Sequence, residues 1–160
     1  MIRIDQATPA DAAQVLSLVE SLLRELEENP EDRGPGAREF EGIDRAKVLK
    51  DLSGVRGRFA VFLARTDAGE TVGVATVMEA FAIYAGGNYG IIDEMYVVPG
   101  RRSAGVGGRI IEAIKAHGRR KGWLRIDVTA PPERHWERTV KFYEKQGFVF
   151  TGPKLRLKLK

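Results

Sequence analysis

Apolar residues in the first part of the chain recur every three or four positions, which is the spacing of one face of an amphipathic helix. Thr8 followed by Pro9 predicts the start of this helix, because threonine is a common N-cap and proline suits the first turn. The helix is predicted to run to about Glu27, after a short strand at residues 2–4. A second, weaker helix is predicted over residues 43–52. The apolar face of the first helix consists of Val15, Leu16, Val19, Leu22, Leu23 and Leu26.

From residue 59 the pattern changes to the two-residue alternation of β-strands. Residues 59–65 and 71–81 are predicted to form a hairpin, because a glycine-containing turn at residues 67–70 separates them. Residues 89–98 form the next predicted strand, which ends at Pro99. This part of the chain is therefore predicted to supply three consecutive strands of one sheet.

The last third of the chain returns to alternating helices and strands. A glycine-rich loop from Arg101 leads into an amphipathic helix, and a strand is predicted over residues 124–128. A further helix is predicted over residues 133–145. A closing pair of strands is predicted at residues 148–151 and 155–159, so that the order is strand, two helices, three strands, helix, strand, helix and two strands.

The composition is that of one globular domain. The chain has 160 residues, of which 43% are hydrophobic and 30% charged, and we expect a single domain over residues 1–160. It contains no cysteine, which excludes disulfides, a thiolate nucleophile, cysteine-ligated zinc and iron–sulfur clusters. The two histidines, His117 and His135, are too far apart in sequence to predict a metal site.

The N-terminus and the apolar runs bear on the location of the protein. No stretch of the sequence approaches the roughly twenty apolar residues that cross a bilayer. Met1 leads directly into Arg3 and Asp5 rather than into the apolar run of a signal peptide. We therefore expect a cytoplasmic protein.

The net charge of +4 is divided unevenly along the chain. Residues 20–44 hold nine acids and three bases, whereas residues 101–160 hold sixteen bases and five acids. This asymmetry indicates an anionic ligand on the C-terminal half. A basic nucleic-acid-binding tail is one alternative. The strict alternation of basic residues with leucine over residues 154–160 instead favours an edge strand.

A glycine cluster lies where a predicted strand passes into a helix. Gly105, Gly107 and Gly108 leave backbone N–H groups uncovered there, and the helix N-terminus adds a partial positive charge. Such a junction predicts an anion-binding cradle. A Walker loop is excluded because Arg109 and Ile110 replace its Lys-Ser/Thr, and a dinucleotide fingerprint is excluded because Ile110 replaces its third glycine.

Two motifs about forty residues apart are more specific than the glycines alone. The first is V-x-P followed by R/Q-x-x-G-x-G/A, and the second is F-Y-x-x-x-G-F. The matching residues are Val97, Val98, Pro99, Arg102, Gly105 and Gly107 in the first motif and Phe142, Tyr143, Gly147 and Phe148 in the second. Together they resemble the GNAT superfamily of N-acetyltransferases. The resemblance implies an α/β (α+β) fold with a mixed, mainly antiparallel sheet of six to seven strands and about four helices.

The resemblance also implies acetyl-CoA (coenzyme A) as cosubstrate and no metal. It assigns the glycine loop and its arginines to the pyrophosphate, and the preceding strand end to the amides of pantetheine. Members often carry Asn and Ala where this chain has Trp136 and Thr139, and Trp136 packs either beside the pantetheine or substrate or in the core. The implied cofactor-binding residues are Met95, Tyr96, Val97, Val98, Arg101, Arg102, Ser103, Ala104, Gly105, Val106, Gly107, Gly108, Trp136 and Tyr143.

Acetyl transfer to an amine requires a base for the ammonium group and a proton for the leaving thiolate. Tyr143 matches the family's tyrosine that gives its phenolic proton to the thiolate. In the family, an acid at about the position of Asp93 and Glu94 on the strand often serves as base, directly or through water. Because side chains alternate along a strand, these two acids are predicted to face opposite sides of the sheet. Glu94 is preferred for its reach, and Asp93 is the second candidate.

The predicted function is acetyl-CoA-dependent transfer to a primary amine of a small molecule or peptide, by direct attack on the thioester. A non-catalytic acyl-CoA sensor is the first alternative, and a nucleic-acid-binding module is the last. The acceptor, the acyl-chain preference and the oligomeric state, including a homodimer, stay open. A cationic amine would be attracted by the acidic residues of the first inter-helix connection, Glu27, Glu28, Glu31 and Asp32.

Overall fold

A mixed five-stranded sheet forms the centre of the structure. The computed structural model describes residues 1–28, 44–47, 57–129 and 137–152. Their strands are β1 (Ile2–Gln6), β2 (Phe59–Thr66), β3 (Thr71–Ala82), β4 (Gly87–Val97) and β5 (Ile126–Val128). The strands lie side by side in chain order, and all neighbours are antiparallel except β4 and β5, which are parallel.

Among the described residues, three helices of more than two turns flank this sheet: α1 (Ala12–Glu28), α2 (Val106–Lys121) and α3 (Glu137–Lys145). Helix α1 follows a short 3-10 turn, where the Thr8 N–H donates to the Asp11 carboxylate at 2.8 Å. The start predicted from Thr8 and Pro9 is therefore confirmed. Within the described residues, every helix is too short or too polar to cross a membrane.

The predicted fold class is confirmed, although the described residues contain five strands rather than six or seven. Residues 148–151 do not form the predicted strand. The Phe148 N–H instead donates to the Tyr143 carbonyl at 3.1 Å, so the chain closes the end of α3 here. Its predicted partner strand at 155–159 lies outside the described residues. Of the helix predicted over 43–52, only residues 44–47 are described, and 45–47 are helical.

Both faces of the sheet are covered, which explains why β2 and β3 are apolar almost without interruption. Ile110 and Ile114 of α2 belong to one buried cluster with Val77 of β3. Val15 of α1 belongs to a second buried cluster with Leu63 of β2. The two apolar faces of these helices therefore bury opposite sides of the same sheet.

Trp123 fixes the connection between α2 and β5. Its indole N–H donates to the buried carboxylate of Glu79 at 2.6 Å, and Lys121 pairs with the same carboxylate at 3.3 Å. Its ring fills the space left by two glycines: a Cβ at Gly90 would lie 2.3 Å from the ring, and one at Gly118 would lie 2.8 Å from it. The glycines are needed here because the aromatic ring approaches the backbone closely.

We expect Gly90→Ala to destabilise the protein by about 1–3 kcal/mol, the usual cost of overpacking a rigid site. Denaturant unfolding measures this loss. Gly100→Ala is the matched control, because a Cβ there meets nothing within 4 Å, and we expect it to change stability by less than about 1 kcal/mol. Equal stability of the two variants would contradict the packing assigned to Trp123.

Candidate active site

One extra residue interrupts the pairing of β4 with β3. Thr76 is opposite Glu94 and Val77 is opposite Ile92, so Asp93 forms a β-bulge. Among the described residues, β4 pairs with β5 only from Gly90 to Ile92. Beyond the bulge, the edge of β4 that faces away from β3 therefore presents backbone N–H and C=O groups that a ligand can pair with.

The bulge also changes which side chains share a face of the sheet. Ile92, Met95 and Val97 all contact the cluster beneath α2, although regular alternation would group Ile92 with residues 94 and 96. Tyr96 belongs to the cluster beneath α1, and Glu94 is two residues before it on the same stretch of strand. Glu94 therefore lies on the α1 side. Asp93 is exposed at the bulge itself.

Glu94 is held by Thr76, a residue that the sequence analysis did not select. The Thr76 hydroxyl donates to the Glu94 carboxylate, and the Glu94 N–H donates to the Thr76 oxygen at 3.1 Å. Burial, and next the negative charge of Asp93, raise the pKa of Glu94 above its ordinary value. The sequence signal for Thr76 is a hydroxyl residue within the apolar run of β3.

Tyr143 lies on the other face of the sheet. It is buried, with 8% of its surface exposed, and its hydroxyl is 3.6 Å from the sulfur of Met95. Its ring makes an edge contact with Phe148, at 5.4 Å between centroids. Burial raises the pKa of Tyr143 to about 12, so the phenol keeps its proton at neutral pH. Tyr143 and Glu94 thus lie on opposite sides of β4 near its unpaired edge.

The glycine-rich loop connects β4 to the N-terminus of α2. Gly105 caps the helix in the left-handed conformation, with φ of 79°, a conformation that glycine adopts without strain. Gly107 serves packing as well, because a Cβ there would lie 3.0 Å from the Phe142 ring of α3. The first N–H groups of α2 have no partner within the helix and carry its positive partial charge. This end of α2 has the chemistry of an anion site.

The two arginines of the loop, which the sequence predicts to contact the pyrophosphate, pair with carboxylates in the structure. Arg102 forms a bidentate pair with Glu25 of α1, at 2.8 and 2.6 Å, and also donates to the Val97 carbonyl. Its guanidinium lies over the Tyr96 ring, 5.3 Å from the centroid. Arg101 pairs with Glu70 at 3.2 Å. Both guanidinium groups are engaged with carboxylates, because these acids lie within reach on neighbouring elements.

A second residue that the sequence analysis missed is Arg138 of α3. Its guanidinium donates to the Ser103 hydroxyl, which brings a cation from α3 to the glycine-rich loop. Ser103 has a φ of 63°, which marks the sharp turn of the loop at this point. The sequence signal was weak, since Arg138 is one of many basic residues in the C-terminal part of the chain.

The structure brings the predicted site residues together at one end of β4. Residues 93–98 and 101–108 are continuous there, and Tyr143 reaches them from α3. Trp136, Glu31 and Asp32 lie outside the described residues. In the part of the chain that the structure describes, no group of three or more His, Cys, Asp or Glu side chains is arranged to bind a metal.

Comparison with known proteins gives a family and a fold. The family model of the acetyltransferase (GNAT) domain matches residues 57–150. No curated protein matches the sequence. Three similar solved structures are each less than 25% identical in sequence to this chain, so the likeness to them shows the fold alone.

An aminoglycoside acetyltransferase from an uncultured soil metagenomic sample, in complex with sisomicin, has a TM-score of 0.77 and 17% identity over 99% of this chain and 97% of that one. A ribosomal-protein-alanine N-acetyltransferase from Brucella melitensis biovar Abortus 2308 has a TM-score of 0.74 and 19% identity over 99% of each chain. AAC(6')-Iy, in complex with the bisubstrate analog CoA-S-monomethyl-acetylneamine, has a TM-score of 0.74 and 18% identity over 100% of this chain and 99% of that one.

Proposed function

Because the chain belongs to the GNAT family of acetyltransferases, we propose that it transfers an acetyl group from acetyl-CoA to a primary amine of a small molecule or peptide. Residues 1–160 form one catalytic domain in this proposal. The observation that carries it is the bulge at Asp93, because it leaves an unpaired strand edge between a phenol and a carboxylate. The similar structures include one with an aminoglycoside and one named for a ribosomal protein, which supports both acceptor classes.

The residues present fit acetyl-CoA, which supplies an activated acyl carbon and a thiolate leaving group. The unpaired edge of residues 95–98 suits the amides of pantetheine, since an extended polar chain pairs with a strand edge as another strand does. The N-terminus of α2 suits the pyrophosphate, since Gly105 and its neighbours direct backbone N–H groups outward. Arg138 adds a positive charge beside Ser103.

Glu94 and Tyr143 supply the base and the acid that the reaction requires. An alkyl amine with a pKa of about 10.4 is mostly protonated at neutral pH and must lose a proton before it attacks. Glu94 accepts this proton, directly or through water, and its raised pKa makes it a stronger base than an exposed carboxylate. As the new C–N bond forms and the C–S bond breaks, Tyr143 donates its phenolic proton to the thiolate.

We expect the protein to release CoA from acetyl-CoA in the presence of one or more amines of a panel that includes aminoglycosides, polyamines and peptides. Tyr143→Phe should lower kcat by about 100-fold with little change in CoA affinity, because only the proton donor is lost. Detection of the released thiol measures the CoA release and kcat, and calorimetry measures the CoA affinity. Tyr84→Phe, which removes a hydroxyl bonded to Arg125, is the matched control. Binding of acetyl-CoA with no thiol release from any amine would instead favour an acyl-CoA sensor.

Arg138→Gln should weaken CoA binding by about tenfold, since a charged hydrogen bond to a phosphate is lost. Calorimetry at fixed ionic strength measures the affinity. Arg120→Gln is the matched control, because it removes one exposed arginine near the opposite end of α2 and should leave the affinity unchanged. If both variants bind CoA alike, Arg138 has no part in the cofactor site.

Glu94→Gln should lower kcat/KM most at pH values below the pKa of the amine and least above it, because alkaline solution supplies neutral amine without a base. Asp93→Asn should have little effect. Profiles of kcat/KM from about pH 6 to about pH 11.5 with the best amine test this, because they span the ~10.4 reference pKa of an alkyl amine. A pH-dependent loss of kcat/KM in Asp93→Asn alone would make Asp93 the base instead of Glu94. If neither variant loses kcat/KM in this way, both carboxylates are excluded as the base.

A further inference from the structure

Thr76 is a buried polar residue in an otherwise apolar part of β3. Only 3% of its surface is exposed, and its neighbours Ala75 and Val77 are fully buried. A buried hydroxyl costs free energy unless it forms hydrogen bonds. Thr76 is opposite Glu94, at the position where the register shifts around Asp93. Its partners are therefore found at the bulge.

The direction of each hydrogen bond between Thr76 and Glu94 follows from the groups involved. The Glu94 N–H can only donate, so the Thr76 oxygen accepts it, at 3.1 Å. An ionised carboxylate can only accept, so the single hydroxyl proton of Thr76 points to the Glu94 side chain. One threonine thus satisfies the backbone N–H at the bulge and orients the carboxylate of the same residue.

The Thr76 hydroxyl favours the ionised form of Glu94, because it donates a hydrogen bond to the carboxylate. On its own strand, Asp93 acts against ionisation. On α1, which covers this face, the negative charge of Glu25 is balanced by its ion pair with Arg102. On β5, the negative charge of Asp127 is balanced by its ion pair with Arg125 at 3.0 Å. On the opposite face of the sheet, Tyr143 is a neutral phenol with a pKa of about 12.

We propose that Thr76 is the positioning residue for Glu94: its hydroxyl holds the carboxylate in the orientation and the ionised state in which it takes the proton of the acceptor amine. The inference rests on the proposed function. It predicts that the hydroxyl, rather than the shape or volume of the side chain, matters at position 76. Thr76→Val removes the hydroxyl and keeps the branched shape, whereas Thr76→Ser keeps the hydroxyl and removes a methyl group.

The first measurement is the pKa of Glu94. Carbon-13 NMR of labelled glutamate carboxyl groups measures it, and the Glu94→Gln variant assigns the signal of Glu94. We expect Thr76→Val to raise this pKa by about one unit, because a hydrogen bond to the charged form is lost. Thr76→Ser should restore it. Thr71→Val is the matched control on the same strand, since it removes a hydroxyl that donates to Gln14 instead. If Thr76→Val does not fold, Thr76→Ala provides the same comparison.

The second measurement is the pH profile of kcat/KM with the best amine. We expect the acidic limb of Thr76→Val to move up by the same amount as the pKa, with a fall in kcat of about tenfold from lost positioning. In a Glu94→Gln background, Thr76→Val should change kcat by less than about twofold, because the two residues act together.

Each outcome distinguishes the inference from the proposed function. A wild-type protein with no turnover for any amine overturns both. A wild-type protein whose turnover depends on Glu94, with a pKa or profile unchanged in Thr76→Val, overturns this inference alone. An equal fall of kcat/KM in Thr76→Ser and Thr76→Val would assign the effect to packing, and this result would also overturn the inference.

Discussion

The whole site depends on one extra residue in β4. Before Asp93 the strand is paired on both sides, and after it the described pairing continues only with β3. The same residue shifts the alternation of side chains, so Glu94 faces α1 while Met95 faces the Tyr143 hydroxyl. A single backbone irregularity therefore opens an edge and sets a carboxylate and a phenol on either side of it.

The surroundings of this edge are held by packing more than by charge. Gly107 lets α2 approach the Phe142 ring, and Val106 and Ile110 are fully buried beneath the sheet. The pair between Arg102 and Glu25 is about one-third exposed, and such pairs contribute little to stability on their own. Its planar, bidentate geometry instead orients the loop against α1. The pair thereby connects the glycine-rich loop with α1, the helix that covers the face of the sheet where Glu94 lies.

Two buried polar residues on β3 illustrate how the same physical requirement serves different purposes. Glu79 receives hydrogen bonds from Trp123 and Lys121, which lower its pKa and anchor the end of α2. Thr76 bonds to Glu94 at the bulge. Each satisfies the rule that a buried polar group needs a partner. Glu79 supports the fold, whereas Thr76 contacts a residue with the chemistry of a base.

The sequence by itself determined the family and the order of the described strands and helices from β1 to α3, because helix and strand periodicity and the two glycine-containing motifs are local patterns. It also identified Tyr143, Glu94 and the loop that the structure brings to one end of β4. Only the tertiary structure decided the contacts of Thr76, Arg138 and Arg102. Their partners are 18, 35 and 77 residues away in sequence, and a bulge becomes visible only when two strands pair. Contacts of that range depend on how the sheet and helices assemble, which no local pattern encodes.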